Sequence, residues 1–393
     1  MVKGWSYKHI GDLVNILNGG TPSTRVSKYW NGDINWCTPS DITKQSTKYI
    51  FSTERTITKE GLSDSGAVFL PKGTILLCTR ATIGESSIAG DQICTNQGFK
   101  NLVCIAVDNE FLYYALKPLK NEMISNAHGS TFLELSKLHL EKIEVFIPND
   151  RDEQHNIAEA LSDIDELIYS LEMLIKKKKA IRKGAIQELI TGKKRLHGFS
   201  EPWVEIKLSD AFSEFIVPMR DKPKSLIGEI PWCRIEDFDG KYLSQSKTGQ
   251  GVSTQTIAEM NLKVLPIGSL IVSCSANLGK CAIIISELVT NQTFIGMVPK
   301  PETDVEFFFY KMSAEQARLN DKATGTTIAY LSREEFENYR AFVPPTKDEQ
   351  KAISSILSDM DSEIENITKK VNKYKLIKIA MMDELLTGKI RLV

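Results

Sequence analysis

A chain of 393 residues, 42% hydrophobic and 25% charged, has the length and composition of two or more soluble domains with full-sized cores. Its 49 basic and 50 acidic residues nearly cancel, so any nucleic-acid contact has to come from local clusters on one face, helped by a partner that supplies positive charge. No apolar run reaches the ~18–20 residues of a membrane span, and residues 1–10 lack a signal-peptide core, so the expected location is the cytoplasm.

In chain order, residues 1–147 read as an α+β domain. Short apolar runs bounded by Gly, Pro and polar clusters predict strands at 73–78 and 101–105, one helix is expected from Asp108 to Asn121, and glycine-rich stretches at 18–22, 83–84 and 127–130 read as loops. Residues 148–198 form a second kind of segment. There Ile157, Leu161, Ile164, Ile168, Leu171 and Ile175 are spaced alternately by four and three, the a/d seam of a long paired helix. Asp150 and Glu153 give it a capping signature and Gly192 a stop, which predicts about 40 helical residues and a length on the order of 60 Å.

The chain then repeats itself. Residues 147–196 recur without a gap at 343–392, which carries Asp152-Glu153-Gln154 onto Asp348-Glu349-Gln350, Asp163 and Asp165 onto Asp359 and Asp361, and Thr191-Gly192 onto Thr387-Gly388. The second seam, Ile353, Leu357, Met360, Ile364, Ile367 and Val371, is apolar throughout, and Thr346 with Glu349 repeats the capping signature. Residues 199–343 follow the first domain more loosely. Ile34 to Cys37 match Ile230 to Cys233, Gly129-Ser130-Thr131 match Gly325-Thr326-Thr327, and between these anchors a single deletion pairs Gly84 with Gly279 and Asn96-Gln97 with Asn291-Gln292. In this domain a strand is expected at 270–274 and a helix from Asp304 to Arg318.

The order is therefore variable domain (1–147), near-constant helix (148–198), variable domain (199–343), near-constant helix (344–393). Two matched seams bury each other most simply in an antiparallel coiled coil. That predicts two α+β domains at opposite ends of a helical pair, related by a pseudo-two-fold axis. Beyond residue 175 the seam slips to Ile181, Ala185 and Leu189, and in the second helix to Ile377, Met381 and Leu385, which means either a changed supercoil or packing on another subunit. The run Lys176 to Lys179 with Arg182 and Lys183 reads chiefly as a solvated face.

Catalytic patterns are missing. Gly279-Lys280 lacks the leading glycine of a phosphate loop, Gly249-Gln250-Gly251 has no strand-turn-helix around it, and Val343-Pro344-Pro345-Thr346 offers neither the amide nor the aromatic ring that holds a target amine. His9, His128, His139, His155 and His197 have no metal-like spacing. Seven cysteines, Cys37, Cys78, Cys94, Cys104, Cys233, Cys274 and Cys281, include no CxxC pair and read as reduced, buried small hydrophobes. The expectation is a chain that is not an enzyme, with neither metal nor cofactor of its own.

The Trp36…Asp41 and Trp232…Asp237 elements, the loop Arg80 to Gly84, the Gly-Ser-Thr…Leu-Ser turn before each helix and the Pro…Asp-Glu-Gln…Leu-Ser…Asp helix openings resemble the specificity subunit of Type I restriction–modification systems. The resemblance covers essentially the whole chain. It implies two target-recognition domains, each reading one half of a bipartite site on double-stranded DNA. It further implies helices that set the spacer and dock two modification subunits carrying S-adenosylmethionine, and restriction subunits that use ATP and Mg. Polar and basic loop residues then become DNA-contact candidates. In the first domain these are Thr21, Ser23, Arg25, Lys28, Arg80, Lys100, Ser130 and Thr131; in the second, Arg220, Lys222, Lys224, Arg234, Asn277, Lys322 and Thr326. Arg80 aligns with Ser275 and Thr38 with Arg234, an exchange suited to two different half-sites. Trp36, Trp232 and the two Asn-Gln pairs read as core and loop ties. Two other readings stay open: a duplicated adaptor with two protein-binding heads, which the neutral charge suits, and the specificity chain of a related bipartite system.

Overall fold

A computed structural model describes residues 2–129, 133–218, 222–275, 277–322 and 330–392, with Lys322 described by its backbone alone. It divides into two compact units that cut across the sequence segments: Met1–Leu174 with Ile367–Val393, and Ile175–Asn366. Each unit therefore joins one variable domain to part of both long helices.

The two units share one wiring. In the first, a five-stranded sheet runs in the order Val14–Asn18, Phe99–Cys104, Ile75–Cys78, Ser86–Ala89, Tyr49–Ile50, antiparallel except for its last pair. A three-stranded sheet places Trp30–Cys37 between Arg55–Ile57 and Cys94–Thr95, and Trp5–His9 pairs with Glu144–Pro148 just before the helix. The second unit repeats this with Phe212–Ile216, Phe294–Pro299, Leu270–Ser273, Cys281–Ile284 and Tyr242–Leu243. Its three-stranded sheet places Ile230–Cys233 between Gly251–Val252 and Val289–Thr290, and its ribbon pairs Val204–Lys207 with Arg340–Val343. Fully buried Ile75, Leu76, Leu77 and Cys78, matched by Leu270, Ile271 and Val272, explain why these runs lie mid-sheet: both faces are covered, so the apolar pattern is continuous and not alternating.

The helix expected over 108–121 is two, Asn109–Ala115 and Lys120–Ser125. Pro118 between them has no N–H to donate and disfavours a helical Lys117. Its counterpart is also divided, into Val305–Ala314 and Gln316–Lys322.

The long helices are Arg151–Leu189 and Lys347–Leu385, 39 residues each and so about 58 Å long. Within the first unit they run antiparallel, because rising positions on one meet falling positions on the other: Asn156 donates to the Leu392 carbonyl, Asp165 pairs with Lys378 at 2.6 Å and Glu172 with Lys375 at 2.6 Å. The second unit has the same sense in Lys178–Glu363 at 2.7 Å and Arg182–Asp361. Every seam position is sequestered. Ile157, Leu161, Ile164, Ile168, Ile353, Leu357, Ile367 and Val371 are buried, and Leu171, Ile175, Met360 and Ile364 are half-buried. At about 1.5–3 kcal/mol for each fully buried aliphatic side chain, this seam is the main apolar contribution of the helices.

The polar residues of the repeat have assigned tasks. Gln154 accepts from the Asp108 amide at 2.8 Å and donates to the Pro148 carbonyl at 2.8 Å; Gln350 does the same with Asp304 and Pro344. Ser162 joins Lys48 and Glu110, as Ser358 joins Lys241 and Glu306. Asp165 accepts from the Tyr114 hydroxyl at 2.8 Å and Asp361 from Tyr310 at 2.6 Å. These bonds fasten each variable domain to its helix.

Glu153 and Glu349, expected as capping-box partners, do something else. Caps come from Asp150, which accepts from the Asp152 amide, and from Thr346, which accepts from the Glu349 amide. The Glu349 carboxylate is buried and accepts from Arg195 Nε and Nη2 at 2.8 and 2.9 Å and from Trp203 Nε1 at 3.0 Å. Glu153 is likewise buried and accepts from Trp5 Nε1 at 3.2 Å and Arg391 Nη2 at 2.7 Å. The arginines belong to the turns that follow the long helices, Gly192 to Leu196 and Gly388 to Leu392. Gly192 sits at φ +71° with its Cα against the Trp203 ring, where a Cβ would meet ring carbons at 3.0 Å.

Glu349→Ala leaves the buried end of the Arg195 guanidinium and the Trp203 N–H without their acceptor. The expected loss is about 3 kcal/mol in the denaturant-induced unfolding of the second unit, whereas Asp359→Ala, at an exposed position, stays within about 0.5 kcal/mol.

Candidate nucleic-acid interface

The loop after Val14–Asn18 is held at its base and open along its outer edge. Gly20 accepts from buried Trp36 Nε1 at 2.9 Å, the Thr21 hydroxyl donates to Gln97, and Trp30 Nε1 reaches the Ser23 carbonyl at 3.1 Å. Thr21, Ser23, Arg25 and Lys28 are exposed; Lys28 rests on exposed Glu60 at 3.2 Å, a pair of little energetic weight. Trp36 is core, packed edge-on against Trp30 at 5.0 Å, with Arg55 laid over the Trp30 ring at 3.7 Å. Trp232 is buried too, but its Nε1 has no hydrogen-bond partner among the described residues. Asn96 and Asn291 turn their carbonyl oxygens onto the Gly98 and Thr293 amides, so these amides tie down loops.

Arg80 lies in a loop whose backbone is fixed from two sides. Thr79 donates to the Gly98 carbonyl at 2.8 Å, Leu135 donates to Thr79 at 3.0 Å, and Arg80 forms a bridge with Glu134. Its guanidinium Nη2 is 2.5 Å from Glu134 Oε2. Lys100, expected as an exposed loop contact, is a correction: it lies inside the strand Phe99–Cys104, is 7% exposed, and turns its ammonium to Glu134 Oε1 at 3.3 Å. Burial favours the neutral form of Glu134, but hydrogen bonds from Arg80 and Lys100 outweigh it and hold the carboxyl below its usual range.

In the second domain Lys222, Lys224 and Asn277 are exposed, and Asn277 takes the left-handed conformation at φ +55°. Arg234 is the structural counterpart of Thr38. Each precedes a short helical turn and donates its amide to an aspartate, Thr38 to Asp41 at 2.8 Å and Arg234 to Asp237 at 2.6 Å, while the Arg234 side chain turns to Glu236 at 3.0 Å. Ser130, Thr131, Arg220 and Thr326 lie outside the described residues, as does the side chain of Lys322. Among the described residues no His, Cys, Asp and Glu group could hold a metal, and no helix is long and apolar enough to cross a membrane. Six of the cysteines are buried and Cys104 is half-buried; burial pushes the Cys78 thiol up to about 11.

A family model of the Type I restriction modification DNA specificity domain matches residues 2–181 and, again, residues 201–374. The chain belongs to the Type I restriction–modification specificity family. It is 26% identical over 99% of its length to the Type I restriction enzyme MjaIX specificity subunit of Methanocaldococcus jannaschii, covering 94% of that protein. It is 24% identical to the MjaVIII specificity subunit of the same organism, over 98% of this chain and 93% of that one. Its fold is similar to the crystal structure of the S subunit from M. genitalium, with a TM-score of 0.62 at 18% identity over 97% of this chain and 96% of that one. This membership favours a DNA-reading chain over the adaptor with protein-binding heads.

Sequence reasoning passed over Glu134 and Lys117 in this specificity-family chain. Lys117 lies in the turn containing Pro118, donates to Ser86 Oγ at 3.2 Å and sits over the Tyr113 ring at 4.2 Å. Burial pushes it down from its ordinary 10.5 to about 8, against the raising influence of Glu85. Between pH 8 and 10.5 the unfolded chain therefore holds a proton that the folded chain has released, and stability rises with pH across that window. At pH 7 both states are charged and the folded state bears the full cost. Lys117→Met is expected to be more stable than the parent at pH 7, by a margin that shrinks as pH rises from 8 to 10.5 in paired thermal unfolding curves.

Proposed function

We propose that this chain is the DNA-reading subunit of a Type I restriction–modification complex, with each variable domain reading one half of a bipartite duplex target. The observation that carries this is one wiring with different loop chemistry. The two domains keep the same strands, the same aspartate-capped turns and the same fastening to their helices, yet hold different side chains at matched loop positions, Thr38 against Arg234 and Arg80 against Ser275. Exposed loop cations position the duplex through phosphates, and hydrogen-bonding side chains read base edges.

Catalysis belongs to partners in this reading. Two modification subunits bring S-adenosylmethionine and methylate the target, and restriction subunits add ATP- and Mg-dependent cleavage. The slipped positions Met381 and Leu385 pack into the first unit's own core, and the docking surface lies beside them, where Leu376 and Ile379 are 68% and 65% exposed. Ile379 lines a groove of about 450 Å³ together with Ala115, Leu119, Phe146, Met382 and Leu386. The paired helices act as the ruler between half-sites.

The test is methylome sequencing of a host that carries the chain with its modification subunit, in which a bipartite motif with a fixed spacer is expected. Inserting one heptad after Ile168 and one after Ile364 keeps the seam in register and lengthens the pair by about 10 Å. The spacer is then expected to widen by about three base pairs, at roughly 3.4 Å each, with both half-sites unchanged. An altered half-site with the old spacer contradicts the ruler. The purified chain alone is expected to transfer no methyl group from S-adenosylmethionine in a radiolabel assay, and robust turnover rejects the assignment of catalysis to partners.

A further inference from the structure

The Arg80, Glu134 and Lys100 cluster has an internal control, because the same three positions exist in the second domain. Ser275 stands in place of Arg80, Tyr330 in place of Glu134 and Ile295 in place of Lys100. The backbone bridge is kept, Ser275 with Tyr330 as Arg80 with Glu134, and the strand carrying Ile295 pairs as its counterpart does. All three charges are thus dispensable for the fold, and all three are exchanged together.

Their arrangement in the first domain aims one cation outward. Lys100 is buried and its ammonium holds one oxygen of Glu134, while the other oxygen holds Arg80 Nη2. Two cations on one carboxylate leave a net positive charge. The Arg80 side chain is the more exposed of the two cations, 42% against 9% for Lys100. Glu134 takes one N–H of Nη2, which leaves the second Nη2 N–H to pair with its neighbour, Nε or Nη1, as a fork. A guanidinium held in this way loses little freedom on binding, and its paired N–H groups match O6 and N7 of guanine in the major groove.

Resting on the DNA-reading function above, we propose that Arg80 reads a guanine in the half-site of the first domain, and that Glu134 and Lys100 are positioning residues that aim it. The uncharged counterparts in the second domain exclude the same contact from the second half-site.

The experiment uses the full chain assembled with its modification subunit. Binding is measured by competition with duplexes carrying every single base-pair change in both half-sites. For the parent complex a bipartite preference is expected, with a guanine required at one first-half position; absence of any sequence preference overturns the proposed function itself. Arg80→Ala is expected to reduce discrimination at that one position by about tenfold to a hundredfold, leaving the second half-site profile unchanged. Glu134→Gln and Lys100→Met, of similar size, are expected to erode discrimination at the same position and nowhere else. If Arg80→Ala instead weakens all sequences equally, Arg80 contacts phosphate and the proposal is wrong. A parent-like profile, a loss spread over both half-sites or the complete loss of binding overturns it too, since each assigns the cluster a role other than base reading.

Discussion

The rest of the structure depends on the burial of Glu153 and Glu349 at the starts of the two long helices. A carboxylate taken wholly out of water is tolerated only with charged and hydrogen-bonding partners. Here those partners come from far along the chain. Glu153 is held by Trp5 near one terminus and Arg391 near the other, and Glu349 by Trp203 and Arg195, both in the turn region between the first helix and the second domain. Each anchor fixes three things at once: where a helix begins, where the other helix ends, and how the two-stranded ribbon of the adjoining domain meets them.

Around that anchor the near-constant polar residues form a chain of ties. Gln154 and Ser162 in one unit, and Gln350 and Ser358 in the other, link helix to domain, while Asp165 and Asp361 link helix to helix and to a buried tyrosine. A domain joined at so many points keeps its orientation on its helix whatever its outer loops carry. The loops are then free to differ, as Arg80 and Ser275 do, because their chemistry is separated from the bonds that hold the domain in place.

Much of this was legible in the sequence, for identifiable reasons. The seam could be read because a 3.5-residue apolar period declares a helix face without reference to any partner, and its twelve positions are all buried or half-buried. The strands Ile75–Cys78 and Leu270–Ser273 were visible as apolar runs closed by turn residues. The tasks of Glu153, Gln154, Ser162 and Asp165 were not legible, since their partners lie up to 238 residues away and repetition marks a residue as retained without saying what it touches. Lys100 was misread for the opposite reason. A lysine is exposed in most settings, and only the three-dimensional approach of Glu134 makes its burial affordable. Pro118 was in plain view, and its power to divide the helix over 108–121 was the one local signal passed over.

The first unit is closed by residues made long after its own variable domain. Its part of the seam, from Ile157 to Leu171, packs with a helix end that begins at Ile367, so residues 175–366 must all be synthesised in between. At roughly 5–20 residues per second that interval lasts on the order of 10–40 s. Ile157 and Leu161 can pack on the first domain's own core in that interval, but the outer part of the stripe, Ile164 to Leu171, waits for the second helix, and the shared seam pattern makes the same stripe on another copy of the chain a matching surface. The repetition that lets one pattern build both units also makes the half-finished chain its own competitor.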